Sequence, residues 1–158
     1  MKNNHINEQG EIHMIDVSEK DITVRESSAS GIIMLNNDAF SSINNKTNKK
    51  GDVLNTARIA AISAVKRTNE LIPLAHTILI SSVTVSFDID KNSNKISSIV
   101  KVKSEGKTGV EIEALVGVQI SLITIYDMCK YLDRGMIITD IKLLSKTGGK
   151  SGNFKRDT

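Results

Sequence analysis

The chain has 158 residues, a formal net charge of +3 and a pI near 9.0, with 39% hydrophobic and 25% charged residues. That is the balance of one globular domain, and the mild basicity favours anionic partners without being a nucleic-acid signature. With 3% aromatics and no Trp, the core must be built from Ile, Val, Leu and Ala.

Residues 1–11 are polar and aperiodic, and read as a flexible arm without the apolar stretch of a secretory signal. His13 to Val17 and Ile22 to Leu35 read as extended, the second stretch with a polar centre from Arg25 to Ser30 that allows one strand or two. Asn36-Asn37-Asp38 can cap a short helix to about Asn44, and a lysine-rich loop, NNKTNKKGD, follows. From an Asp52 N-cap, Val53, Ala57, Ala60, Ala61, Ala64 and Val65 recur at helical spacing. That helix must stop before Pro73.

Ile78 to Ile89 and Lys95 to Lys103 read as strands joined by a DKNSN hairpin turn. After the Gly106–Gly109 break, a helix runs from about Val110 to Leu132, apolar almost all round until Asp127. Its longest apolar run, Ala114 to Tyr126, is shorter than the roughly 20 residues of a membrane span, so no membrane partner is expected. A subunit interface is one cover for so apolar a helix. Ile137 to Ser145 is a last strand, and residues 147–158 form a Gly- and Lys-rich flexible tail. The order βαββαβ predicts a single α+β domain of the ferredoxin-like kind, an antiparallel sheet with helices on one face.

Several groups could carry chemistry. Asp127 and Lys130, three apart, share a helix face and form either a proton-transfer pair or a plain surface ion pair. Glu111 and Glu113 open the same helix about 200° apart, so regular geometry cannot turn both into one cleft. Their simplest role is to oppose the helix dipole. His76 follows Pro73-Leu74-Ala75 at a helix-to-strand junction, where a histidine can bind phosphate, relay protons or merely pack.

Lys46, Lys49 and Lys50 crowd one loop, with Lys66 and Arg67 a helix away. Lys146 and Lys150 flank glycines in KTGGKSG, a composition that lets amides and ammonium groups approach phosphate, although it lacks the P-loop frame. His5, His13 and His76 show no metal-ligand spacing, and no protein-held metal is expected. Cys129, the single cysteine, excludes an internal disulfide and lacks a visible base partner, so it reads as a packing residue. The expected location is the cytoplasm.

Taken together, HINEQGEIHMIDVSEK, TVRESSA, KGDVLNTARIAAISAVKRTNELIPLAH, GKTGVEIEAL, TIYDMCK and LLSKTGGKSGNF resemble the cyclic pyranopterin monophosphate synthase family of molybdenum cofactor biosynthesis, in the family's order and over nearly the whole chain. The resemblance implies a lyase that converts 3',8-cyclo-7,8-dihydroguanosine 5'-triphosphate to cyclic pyranopterin monophosphate and diphosphate. It also implies a ferredoxin-like subunit in a homohexamer, a trimer of dimers with sites between subunits. By the same resemblance, the catalytic aspartate falls on Asp127, its functional lysine on Lys130 and the lysine of the KGD motif on Lys50; His76 and Glu111 are expected to act beside them as proton relays or orienting groups. Substrate-binding segments fall on Leu74, Ala75 and His76 and on Ile112 and Glu113, and the tail lysine on Lys146. The expected mechanism has Lys50, Lys146 and Arg67 hold the triphosphate. The chain departs from the family's pattern at Ala75 and Thr77, where LCHP is usual, and at Ile112, usually Met.

No resident cofactor is called for; a Mg2+ ion can arrive with the triphosphate. Two rival readings are a nucleic-acid-binding domain, disfavoured because the few aromatics are scattered, and a catalytically silent assembly subunit. A small-molecule triphosphate, and no nucleic acid, is the expected partner.

Overall fold

The computed structural model describes residues 5–7, 9–150 and 152–157. Of the two segments expected to be flexible, residues 1–4, 8, 151 and 158 lie outside the described residues. The elements are β1 (Thr23–Met34), α1 (Asn37–Asn44), α2 (Val53–Lys66), α3 (Thr68–Leu71), β2 (Ile80–Asp90), β3 (Lys95–Gly106), α4 (Glu111–Cys129), β4 (Ile137–Thr147) and β5 (Phe154–Lys155).

All pairings are antiparallel, in the order β2-β3-β1-β4-β5, so the expected α+β architecture is borne out. The period-2 pattern is sharp in the two central strands: Arg25, Ser27, Ala29, Gly31 and Ile33 of β1 turn toward the helices, as do Ile96, Ser98, Val100, Val102 and Ser104 of β3. α4 packs on β1, β3 and β4, and α2 packs on α4 and β2. Burial of Leu122, Ile125, Val118 and Ile96 anchors this layer, each large side chain contributing about 1.5–3 kcal/mol.

Two glycines set how closely the layers approach. A Cβ at Gly31 would lie 2.8 Å from Val118 Cγ1 and 2.9 Å from Leu122 Cδ1, and one at Gly117 would lie 2.8 Å from Val65 Cγ2 and 3.0 Å from Val100 Cγ1. α4 is long and apolar enough by composition to cross a membrane, yet 56% of it is buried within the fold; it is the core helix.

Local departures from the expected elements have local causes. Residues 13–17 form no strand because no neighbouring strand is offered to them. The α2 segment breaks at Arg67, where the buried Thr68 hydroxyl donates to the Ala64 and Val65 carbonyls at 3.2 and 3.1 Å, and a short α3 restarts before Pro73. α4 ends at Cys129, where the Leu132 and Asp133 amides both donate to the Cys129 carbonyl. The DKNSN turn forms as expected, with Asn94 at φ +52°. β5 was not anticipated: two residues of the tail pair with Ser145 and Lys146 at the sheet edge.

Candidate functional site

The sequence-predicted residues separate into two groups, one at each end of α4. At the C-terminal end, the Asp127 carboxylate receives Lys130 Nζ at 2.8 Å and Lys50 Nζ at 3.3 Å, and Lys50 Nζ also donates to the Asp127 carbonyl at 2.8 Å. The hydrogen bond from Lys130, then that from Lys50, holds the Asp127 carboxyl below its ordinary range, and the same contact holds the Lys130 ammonium above its own. At neutral pH the aspartate is ionised and the Lys130 ammonium keeps its proton.

The loop that carries Lys50 is fastened from below. Asn48, buried, accepts the Lys50 amide at 2.9 Å and donates toward Ser42 and the Met128 carbonyl. The Tyr131 hydroxyl accepts the Lys49 amide at 3.2 Å, and Lys49 Nζ lies 3.9 Å from the centre of its ring. Cys129 lies beneath this corner; burial pushes its thiol up to about 11, which removes it as a nucleophile and agrees with its reading as a packing residue.

At the N-terminal end of α4 two clefts abut. The larger, about 560 Å³, is lined by Lys20, Arg25, Lys107, Lys146 and Lys150, opposed by Asp21 and Glu111, with Thr108, Gly109, Gly148 and Gly149 on its walls. Lys146 Nζ and Glu111 Oε1 pair at 3.0 Å. Arg25, nine-tenths buried, donates from Nε to the Gly106 carbonyl at 2.9 Å, and its guanidinium lies against Gly149. Thr23 Oγ1 is buried at the same wall without a hydrogen-bond partner among the described residues. α4 has no side-chain cap, so its first amides face this region with the positive end of the helix dipole.

The smaller cleft, about 230 Å³, shares Lys20, Thr108 and Gly109 with the first. Leu74, Ala75, Ile78, Ile112, Ile15 and Val17 give it an apolar lining, and His5, His76 and Glu113 supply polar groups. His76 Nε2 lies 2.8 Å from the Ile15 carbonyl oxygen. Burial, and secondarily the Glu111 charge, pushes the Glu113 carboxyl above its ordinary range. Glu111 and Glu113 therefore serve different clefts, as their angular separation requires.

Arg67 lines neither cleft and is exposed in an ion pair with Glu70 at 2.9 Å. Lys20, Arg25, Lys107 and Thr108 were not singled out from sequence. The available signal for Arg25 was an arginine in phase with Ser27 and Ala29 on the buried face of a strand, where only a paired or ligand-directed charge is tolerated.

Along α4, Glu111 and Asp127 are about 24 Å apart at 1.5 Å per residue, so a single protomer keeps the aspartate–lysine cluster well away from the two clefts.

The model of the MoaC family matches residues 14–149. A protein of Campylobacter jejuni named cyclic pyranopterin monophosphate synthase is 52% identical over 156 residues, 99% of each chain. A protein of the same name from Helicobacter hepaticus is 50% identical over 157 residues, 99% of each chain. One from Clostridium acetobutylicum is 47% identical over 152 residues, 96% of this chain and 94% of the relative.

Proposed function

This chain belongs to the MoaC family, and from that membership we propose that it is a cytoplasmic cyclic pyranopterin monophosphate synthase of molybdenum cofactor biosynthesis whose active site is completed between protomers. The observation that carries this reading is the cationic cleft at the start of α4, continuous with a second, apolar cleft that holds His76 and Glu113. A substrate with three phosphoryl groups on one side and a planar ring system on the other needs those two adjoining environments.

In this reading Lys20, Arg25, Lys107, Lys146 and Lys150 hold the triphosphate of 3',8-cyclo-7,8-dihydroguanosine 5'-triphosphate, and the Thr23 hydroxyl meets a phosphoryl oxygen or a bound water. Leu74, Ala75, His76, Ile112 and Glu113 receive the ring. Arg67, in solvent and neutralised by Glu70, lines neither cleft and takes no part in holding the substrate in this reading. Lys50, Asp127 and Lys130 of a neighbouring protomer face the same substrate. Lys130, whose ammonium Asp127 holds in place, exchanges protons with the remodelling ring, and Lys50 stands beside the pair. His76 and Glu111 relay or orient protons.

In the closing step a sugar hydroxyl oxygen forms a bond to the innermost phosphorus, the bond from that phosphorus to the bridging oxygen breaks, and diphosphate departs with that oxygen. The hydroxyl proton passes to a basic side chain. Charge accumulating on the leaving oxygens is met by the lysines already in place. No resident cofactor is invoked; any Mg2+ comes with the substrate as its counter-ion.

A homohexamer built as a trimer of dimers supplies the required neighbours. In that assembly Ile59 of α2, 70% exposed, and half-exposed Ile123 of α4 are available for interface packing.

The test is incubation of the purified protein with the cyclised triphosphate, with product and diphosphate measured together in a one-to-one ratio. Asp127→Asn should bind substrate, melt as the parent does and lose turnover; near-normal turnover would remove Asp127 from the mechanism. Mixed oligomers of Asp127→Asn and His76→Ala subunits should regain activity that neither has alone, because some sites then receive two intact halves. Absence of such rescue, in oligomers shown to be mixed, would sink the shared site.

A further inference from the structure

His76 is tied to the segment before β1 by one atom, and the identity of that atom fixes the state of its ring. Nε2 lies 2.8 Å from the Ile15 carbonyl oxygen. A carbonyl oxygen can only accept, so the shared hydrogen belongs to Nε2. A neutral imidazole carries one N–H, which leaves Nδ1 as the bare, proton-accepting nitrogen. Among the described residues no hydrogen bond is made to Nδ1.

The segment that carries the Ile15 carbonyl is hydrogen-bonded on both flanks. The Asp16 carboxylate accepts the Ser18 amide at 2.8 Å, the Lys20 amide donates to Val17, and Lys107 Nζ donates to the Ser18 carbonyl. Further back, the His13 amide donates to His5 at 2.9 Å, and Ile6 and Ile12 form a bridge. The segment is a bolted strap rather than a strand, and Ile15 and Val17 form one wall of the cleft that His76 lines. A backbone carbonyl also outlasts side-chain titration as an acceptor, so the ring keeps this tether in either protonation state.

We infer that the Ile15 carbonyl is a positioning group for His76: it selects the Nε2–H tautomer and presents Nδ1 to whatever occupies the apolar cleft. The inference rests on the function proposed above only in taking that occupant to be the ring system of the substrate. On this account the stretch before β1 is a working part of the site, and His76 acts through the nitrogen nearer its backbone.

Two measurements decide it. Long-range 15N–1H correlation on full-length, histidine-labelled protein, at a pH where the ring is neutral, should show His76 as the Nε2–H tautomer. A majority of the Nδ1–H form overturns the inference whether or not the protein turns anything over. The second measurement compares side-chain amides that reproduce one ring nitrogen each. His76→Gln places a donor where Nε2 was, and so keeps the tether to Ile15 but offers nothing at Nδ1. His76→Asn places an acceptor near Nδ1 and gives up the tether.

With the cyclised triphosphate as substrate, kcat/KM of the Asn variant should exceed that of the Gln variant by at least tenfold, with Gln no better than His76→Ala. The Gln variant should melt closest to the parent. Gln outperforming Asn would assign function to Nε2 and sink the proposal. A parent protein with the Nε2–H tautomer but no turnover would instead condemn the proposed reaction and leave the tautomer assignment standing.

Discussion

Lys146 and Glu111 hold each other at 3.0 Å across the cationic cleft, each side chain about a quarter exposed. The contact joins the end of strand β4 to the first turn of α4, and it sets a carboxylate among the cations of the cleft. Glu111 therefore opposes anion binding electrostatically, whatever part it takes in the proton relay proposed above.

Glu111→Gln separates those two effects. Removing the negative charge should tighten binding of inorganic triphosphate roughly three- to tenfold, about 0.7–1.4 kcal/mol, as read by calorimetry at low salt. Turnover of the cyclised nucleotide should fall by about 100-fold or more if the carboxyl relays protons. Weaker triphosphate binding in the variant would mean that Glu111 orients Lys146 more than it competes for it.

Gly149 is the residue against which Arg25 rests, and it adopts φ +85°. An alanine Cβ there would coincide with the guanidinium, and the positive φ would add about 1–2 kcal/mol of strain. The side chain can swing away, so Gly149→Ala should fold. It should also lose about tenfold in triphosphate affinity, and Arg25→Ala should lose a similar amount. The double variant should be no worse than the weaker single one, because both act through one displaced guanidinium. Additive losses would place the effect of Gly149 elsewhere.

The fold was legible because its determinants are local. Alternating Val83, Val85 and Phe87, the capping Asn36 and Asp52, and the turn residues before Lys95 each specify geometry within a few neighbours. The break at Arg67 was hidden because Thr68 acts through a hydroxyl that bonds to the preceding helical turn, which periodicity does not register. β5 escaped because two residues cannot announce a strand; they become one only beside Lys146.

The candidate site was legible for a different reason. Motif resemblance named Asp127, Lys130, Lys50, His76 and Lys146, but their division between the two ends of α4 depends on helix length and fold topology. Arg25 and Lys107 become neighbours only through the pairing of β1 with β3 and the turn that follows it.

Gly117 tests whether the close approach of α2, α4 and β3 is required. An alanine methyl would sit 2.8 Å from Val65 and 3.0 Å from Val100, both β-branched and unable to rotate aside cheaply. Overpacking costs about 1–3 kcal/mol, and the better helix propensity of alanine returns up to about 1 kcal/mol. The net loss should be about 1–2 kcal/mol, a drop in Tm of about 2–8 °C at matched protein concentration. An unchanged Tm would show that the two valines yield without cost.

Glu113 offers a test that depends on pH. It is 3% exposed, and burial followed by the nearby Glu111 charge raises its carboxyl in the folded chain. As pH climbs past the ordinary carboxylate range, the unfolded chain releases this proton first while the folded chain still holds it. Across that window the folded form binds more protons, so stability declines with rising pH and stays lower above it. Glutamine cannot ionise. Glu113→Gln should therefore match the parent near pH 4 and exceed it in urea midpoint near pH 7–8. If the parent is instead the more stable protein at pH 7–8, its carboxylate is compensated by a cation, and the neighbouring protomer's Lys50 or Lys130 is the group the shared-site arrangement would bring there.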